Sequence, residues 1–163
     1  MNSILVAGIG NIFNGDDAFG VEVVQRLRAR PEGVPDGVRA VDFGIRGIDL
    51  VYALLDGHDA VVLVDAAPGG QPAGTVSVIG VAAQDAADAN FSPHSLDPAA
   101  ALGLARTLGS NDAPVFVVAC EPLTTGGEEG VMGLSPPVAA AIEPAIAAVD
   151  NLVKRLRETT RSV

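Results

Sequence analysis

Two apolar runs rich in valine, VVLV at 61–64 and VFVVA at 115–119, constrain the fold of this chain most tightly. Neither run alternates with polar residues, and such continuous runs are typical of parallel strands that helices cover on both faces. Segments with apolar residues at helical spacing separate these and similar runs, so strands and helices alternate along the chain. The sequence therefore predicts an α/β fold with a twisted, mainly parallel five-stranded sheet between two layers of helices.

The same patterns give the order of the elements. Strands are predicted at 3–8, 38–43, 60–67, 75–80 and 113–120, and helices at Ala18–Arg30, Gly47–Leu55, Pro98–Leu108 and Pro136–Arg157. The segment TVSVIG at 75–80 alternates apolar and polar residues, which favours an antiparallel strand at the edge of the sheet.

The chain has 163 residues, a length that fits one domain with a substantial core. We expect a single domain over 1–158, followed by a short tail at 159–163. A long polar segment, 80–98, precedes the third helix, and insertions of this length in a compact domain are usually functional or mobile.

The charge and cysteine content narrow the choice of partners and compartment. Ten basic residues stand against twenty acidic residues, whereas a nucleic-acid partner requires a basic face. No apolar run reaches the roughly 18 residues that a membrane span needs. The single cysteine, Cys120, excludes an internal disulfide and fits a reducing compartment. We therefore expect a cytoplasmic protein that binds neither nucleic acid nor membrane.

The turn after the first strand, GIGNIFNGDD, has the outline of a nucleotide-binding loop. Gly8 and Gly10 match two glycines of the dinucleotide fingerprint G-x-G-x-x-G, but Phe13 occupies the third position. Two adjacent carboxylates, Asp16 and Asp17, would repel a phosphate held there. The turn suits a cation better than a nucleotide.

Three residues are candidates for a cation site. Asp17 follows the first strand, Asp65 ends the third, and His94 lies in the segment FSPHSLD. Ligands of parallel α/β sheets gather at the carboxyl ends of the strands, where such residues converge. Two carboxylates and one imidazole form an incomplete metal-ligand set that leaves positions open. Alternatively, Asp16 or Asp17 caps the first helix, and His94 is an ordinary loop histidine.

Six segments in the same order carry a family resemblance: GIGNIFNGDDAFGV, VDFGIRGIDLVYALL, VVLVDAA, SPHSLD, CEP and GLSPPVAAAIEPAI. Together they resemble the hydrogenase maturation proteases, endopeptidases that trim the large subunit of nickel-iron hydrogenases. The similarity runs from about Ile4 to Leu152. It implies that Asp17, Asp65 and His94 are both the metal-contacting and the catalytic residues.

The resemblance also implies a partner and the source of the metal. The enzyme would recognise nickel already seated in the large-subunit precursor and then remove a C-terminal extension. The nickel would thus arrive with the substrate, and no tightly bound organic cofactor is expected. We expect a monomer in which Asp16, Gly44, Arg46 and Gly47 contact the precursor.

Two chemical routes stay open for the cleavage. In one, the metal polarises the scissile carbonyl or a bound water, and Asp17 or Asp65 assists proton transfer. In the other, a carboxylate activates water directly, the sense in which the family is often grouped with aspartic peptidases. A thiol protease would use Cys120 with His94 or His58 as base, but a small buried residue at the end of a strand is the simpler interpretation.

Two other function classes also remain. A non-enzymatic nickel chaperone would use the same three ligands, hold the metal tightly and cut nothing. A nucleotide-binding module would bind phosphates and tolerate the loss of His94.

Overall fold

The computed structural model describes residues 3–81, 98–124 and 130–161 of the chain. Within them, the strands are β1 Ile4–Ile9, β2 Val38–Gly44, β3 Ala60–Ala66, β4 Val76–Val81 and β5 Val115–Cys120. The helices are α1 Phe19–Ala29, α2 Gly47–Leu55, α3 Pro98–Thr107, α4 Pro136–Ala140 and α5 Ile142–Arg161. A short 3-10 turn, Gly15–Ala18, precedes α1. The predicted α/β alternation is confirmed.

The five strands form one sheet in the order β2-β1-β3-β5-β4. β1 pairs in parallel with β2 and β3, and β3 pairs in parallel with β5. β4 lies at the edge and runs antiparallel to β5. The alternating pattern of this strand correctly predicted both its position and its direction.

Side chains of the central strands point alternately into two cores. Val62 and Val64 of β3 belong to a buried cluster with residues of α1 and α5. Val61 and Leu63 belong to a second cluster with residues of α2 and α3. Because both faces of β3 are covered, every position from 60 to 64 favours an apolar side chain. The predicted three-layer arrangement is confirmed.

The last predicted helix is wrong in one respect, because two helices occupy its place. α4 ends at Ala140, and α5 begins at Ile142. Pro144 has no backbone N–H to donate, and its ring would collide with the carbonyl group of Ala140, four residues earlier, if the helix were continuous. α5 also continues to Arg161, beyond the predicted end of the helix at Arg157.

Two glycines allow the first loop to approach the sheet closely. A Cβ atom on Gly20 of α1 would lie 1.9 Å from the carbonyl oxygen of Val64. A Cβ atom on Gly10 would lie 1.8 Å from the carbonyl oxygen of Asp17, and the φ angle of Gly10 is 141°. Only glycine fits at either position. The start of α1 and the turn before it are thereby held against the carboxyl ends of β1 and β3.

No helix in the part of the chain that the structure describes is long and apolar enough to span a membrane.

Candidate active site

An open cleft of about 430 Å³ lies where the loops after β1 and β2 meet the carboxyl end of β3. Its lining includes five residues predicted from the sequence to form the site: Asp17, Gly44, Arg46, Gly47 and Asp65. Carboxyl ends of parallel strands share one edge of a sheet, so residues distant in the sequence meet there. The structure therefore brings together two of the three predicted metal ligands.

Asp17 lies in the 3-10 turn, and one of its carboxylate oxygens is fixed. The backbone N–H of Asn11 donates a hydrogen bond of 3.0 Å to Asp17 Oδ2. None of the residues described by the structure hydrogen-bonds the other oxygen, Oδ1. The loop therefore orients the carboxylate of a residue that lines the cleft.

Asp65 reaches the same cleft from the end of β3. It pairs in register with Ala119 of β5, so its backbone is part of the sheet. The residue is half-buried, and it lines the cleft together with Asp17. A carboxylate on a rigid strand is positioned more accurately than one on a loop.

Arg46 immediately precedes α2, and its own loop binds its guanidinium group. Arg46 Nε donates to the carbonyl oxygen of Phe43 over 3.1 Å, and Nη2 donates to the carbonyl oxygen of Asp42. Arg46 Nη1 lies 3.3 Å from the carboxylate of Asp49. The positive charge at this wall of the cleft is thus largely balanced by Asp49.

Asp16 lies on the other side of the turn and does not line the cleft. Its side chain is fully buried and accepts four hydrogen bonds of 2.7 to 3.0 Å, from the backbone N–H groups of Leu123, Thr124 and Ser135 and from the Ser135 hydroxyl. Burial works to raise the pKa of Asp16, but these hydrogen bonds lower it by more, so the pKa lies below its ordinary value. Asp16 anchors the loop, and this geometry argues against the predicted contact with substrate.

The alternative prediction of a helix cap is wrong for both aspartates. The residue at the N-cap of α1 is Ala18, and no side-chain hydrogen bond caps that end of the helix. Asp16 bonds to residues more than 100 positions away, and Asp17 bonds backwards to Asn11. Asp16 thus accepts from these distant residues, Asp17 accepts from its own loop, and neither caps the first turn of the helix.

Cys120 does not have the properties of a catalytic thiol. It is completely buried at the end of β5. Burial, together with the nearby carboxylates of Asp16 and Glu121, raises the pKa of the thiol to about 11. The thiolate is the reactive form, and it is scarce at neutral pH with such a pKa. The prediction that Cys120 is a small buried residue at the end of a strand is confirmed.

Of the two histidines, His58 lies within the described residues and His94 does not. His58 is buried at the amino edge of the sheet, with Nδ1 3.0 Å from Ser3 Oγ and Nε2 2.8 Å from the carbonyl oxygen of Ala53. His58 is therefore too far from the cleft to serve as a base there. His94 lies outside the described residues. Its predicted role stays a prediction.

A complete metal site is likewise not part of what the structure describes. Within residues 3–81, 98–124 and 130–161, no group of three or more His, Cys, Asp or Glu side chains could hold a metal ion. The carboxylates of Asp17 and Asp65 fit the oxygen part of the predicted ligand set. Its nitrogen ligand would have to come from outside these ranges.

Two asparagines also line the cleft, and sequence reasoning did not select them. Asn11 Oδ1 accepts a hydrogen bond of 2.9 Å from the backbone N–H of Phe13, which fixes the turn. Asn14 forms an isolated parallel bridge with Val131. One indication of their importance was present in the sequence, namely the preference of asparagine for turns, here in GNIFNG. It indicated a tight turn, but it gave no sign that the turn faces a ligand cleft.

Fold and cleft together define an α/β protein with two carboxylates in a cleft at the carboxyl edge of its sheet. Residues 21–151 match the family model described as hydrogenase maturation protease. The chain is 33% identical over 158 residues to the hydrogenase 2 maturation protease of Escherichia coli, covering 96% of this chain and 92% of that relative. It is 31% identical over 159 residues to a putative hydrogenase maturation protease of Methanocaldococcus jannaschii, with 93% and 97% coverage.

Solved structures agree with the sequence relatives. The hydrogenase maturating endopeptidase HybD of Escherichia coli superposes with a TM-score of 0.77 at 31% identity, over 96% of this chain and 93% of that one. A hydrogenase 2 maturation peptidase from a Thaumarchaeota archaeon gives a TM-score of 0.70 at 28% identity, over 94% and 99%. The chain belongs to the hydrogenase maturation protease family, whose members are hydrolases of the endopeptidase type.

Proposed function

We propose that this protein is an endopeptidase that removes the C-terminal extension of a nickel-iron hydrogenase large-subunit precursor after nickel has been inserted. The observation that carries the proposal is the shared cleft of Asp17 and Asp65, on a chain of the hydrogenase maturation protease family. The cleft is open to solvent, and an enzyme that acts on a protein substrate requires such access.

Nickel is part of the substrate in this proposal. Asp17, Asp65 and His94 contact the nickel ion that the precursor already carries. The hydrogen bond from the N–H of Asn11 to Asp17 Oδ2 orients the Asp17 carboxylate for this contact. A set of two carboxylates and one imidazole, without thiolate, binds nickel less tightly than the softer sites that retain it permanently. Such a set suits recognition of a metal that stays with the substrate.

The peptide bond is cut next to this metal. The nickel ion polarises the scissile carbonyl group or a water molecule, and Asp17 or Asp65 takes up the proton of the attacking water. The second route, in which a carboxylate alone activates water, uses the same residues. A pepsin-like pair of aspartates from two matched lobes does not fit, because the chain contains no D-T-G motif.

The wall formed by Gly44, Arg46 and Gly47 contacts the precursor near the cleavage site. All three residues line the cleft. Gly44 has a φ angle of 56°, a left-handed conformation that favours glycine and lets the chain turn sharply into α2. Arg46 keeps this turn closed through its hydrogen bonds to Asp42 and Phe43.

Cleavage of the nickel-loaded precursor, followed by intact mass, tests the proposal. The wild-type protein should release one C-terminal peptide. His94→Ala and Asp65→Asn should each lower the rate by about 100-fold or more, the size typical of a lost proton-transfer or charge-stabilising group. Asp56→Asn is the control, since Asp56 is exposed and forms an ion pair with Arg39 at the surface.

Two outcomes would contradict the proposal. Cleavage by both site variants at the wild-type rate would remove Asp65 and His94 from the mechanism. If the wild type cuts nothing but retains nickel tightly, the protein is a nickel chaperone. That function would use the same ligands without hydrolysis.

A further inference from the structure

Exposed apolar side chains are concentrated around the cleft. Six of them lie on the loops that follow β1, β2 and β5 or in the first turn of α2, and we call them the apolar rim: Ile12, Phe13, Ile45, Ile48, Val131 and Met132. Their exposed fractions range from 41% to 73%. Exposed apolar side chains that cluster on one surface commonly mark a site that binds another molecule.

The apolar rim flanks the cleft on two sides. On one side, the N–H of Val131 donates to the carbonyl oxygen of Phe13 over 2.8 Å, which joins the two loops that carry four rim residues. On the other side, Ile45 lines the cleft itself, and Ile48 follows in the first turn of α2. The N–H of Gly10 donates to the carbonyl oxygen of Gly44 over 3.0 Å and connects the two sides.

The negative charge of the cleft determines which kind of binding partner it favours. Asp17 and Asp65 line the cleft, while the charge of Arg46 is balanced by Asp49. The whole chain carries a net charge of −10. A second copy of this chain would bring the same carboxylates against each other, which electrostatics opposes. A neutral or basic peptide with apolar side chains meets both the charge and the apolar surface.

We propose that the apolar rim binds the C-terminal stretch of the precursor as an extended chain, with apolar side chains on both sides of the bond to be cut. Phe13 and Met132 hold one side of the peptide, and Ile45 and Ile48 hold the other. This inference rests on the proposed function, because it takes the same precursor as substrate. The apolar rim thus provides affinity for the peptide, and the carboxylates of Asp17 and Asp65 take part in its hydrolysis.

Steady-state cleavage of the nickel-loaded precursor by the double variant Phe13→Ser/Met132→Ser tests this assignment. We expect KM to rise about tenfold, the effect of losing roughly 1.4 kcal/mol of binding free energy, with kcat within about twofold. Leu108→Ser is the matched control, because Leu108 is 59% exposed and Phe13 60%. Leu108 follows α3, away from the cleft, and its substitution should leave KM unchanged.

A second double variant, Ile45→Ser/Ile48→Ser, tests the opposite side independently and should also raise KM. If the wild type cuts the precursor and both double variants keep the wild-type KM, the rim inference is wrong and the proposed function stands. If the wild type cuts no precursor, both are wrong. A wild-type dimer that the rim substitutions convert to monomers without a change in KM would show that a second copy covers the rim.

Discussion

The two edges of the sheet use polar residues in opposite ways. At the amino edge, partners within the protein satisfy the polar groups. Both ring nitrogens of His58 are engaged, its carbonyl oxygen accepts from Asn111 over 2.7 Å, and the N–H of Ser3 donates to Asp59 over 2.7 Å. At the carboxyl edge, an oxygen of Asp17 faces a cleft. The polar groups of the amino edge stabilise the protein, whereas the carboxylates of the carboxyl edge line an open cleft.

The same contrast recurs between two adjacent residues. Asp16 is buried and accepts four hydrogen bonds, whereas its neighbour Asp17 accepts one and lines the cleft. Successive side chains of a tight turn point in different directions, so two identical residues have different surroundings. A pair of acids in a motif therefore needs to be interpreted one residue at a time.

Asp17→Asn should have the largest effect on activity. The amide oxygen can still accept the hydrogen bond from Asn11, so the loop keeps its shape while the negative charge is lost. We expect kcat/KM to fall by about 100-fold or more. Asp59→Asn makes the same chemical change at the amino edge and should leave kcat/KM near the wild-type value. Equal losses in both variants would contradict the division between the two edges.

Asp16→Ala should have the largest effect on stability. The substitution removes the acceptor of three backbone N–H groups and one hydroxyl, and we expect the free energy of unfolding to fall by about 3 kcal/mol. Urea denaturation measures this, with Asp36→Ala as control because Asp36 is exposed. A loss below about 0.5 kcal/mol, the size usual for surface substitutions, would show that Asp16 is not an anchor.

His58→Ala should affect stability and leave activity intact. Removing the buried ring takes away the partner of Ser3 Oγ and one of the two hydrogen bonds that the carbonyl oxygen of Ala53 accepts, the other coming from the N–H of Asp56, which costs about 2 kcal/mol in total. The measurement pairs denaturation with a cleavage assay at a temperature where the variant is folded. A fall in kcat/KM under those conditions would mean that the amino edge also takes part in function.

The pH dependence of stability should carry a smaller signature of Asp16. Its folded-state pKa is depressed, so between the folded and unfolded pKa values the unfolded chain binds more protons. The stabilisation is fully present above the ordinary pKa of about 3.9 and is lost as the pH falls through the folded-state pKa. Denaturation of Asp16→Asn from pH 6 to pH 2 should therefore show a weaker acid destabilisation than the wild type. Parallel curves would contradict this.

Much of the fold could be predicted because its causes are local. The valine runs 61–64 and 115–119 indicate strands that are buried on both faces of the sheet. The alternation of apolar and polar residues at 75–80 indicates a strand at the edge of the sheet. The break at Ala141 was missed, although Pro144 was its visible cause, because the apolar period continues across it.

The candidate site was predictable where the rule for strand ends applies. Asp17 and Asp65 both follow or end parallel strands, and they share the cleft. The role of Asp16 was not predictable from the sequence. Its partners Leu123 and Ser135 are more than 100 residues away in the chain, and both donate to Asp16 from their backbone N–H groups. Sequence patterns carry no information on such contacts.

The most direct test of the account is a competition between two forms of the hydrogenase large-subunit precursor, one nickel-loaded and one nickel-free. Both are mixed in equal amounts, distinguished by isotope labelling, and followed by intact mass after addition of the wild-type protein. The account predicts that only the nickel-loaded form loses its C-terminal extension. Cleavage of both forms at equal rates would contradict the claim that the cleft of Asp17 and Asp65 recognises a metal carried by the substrate.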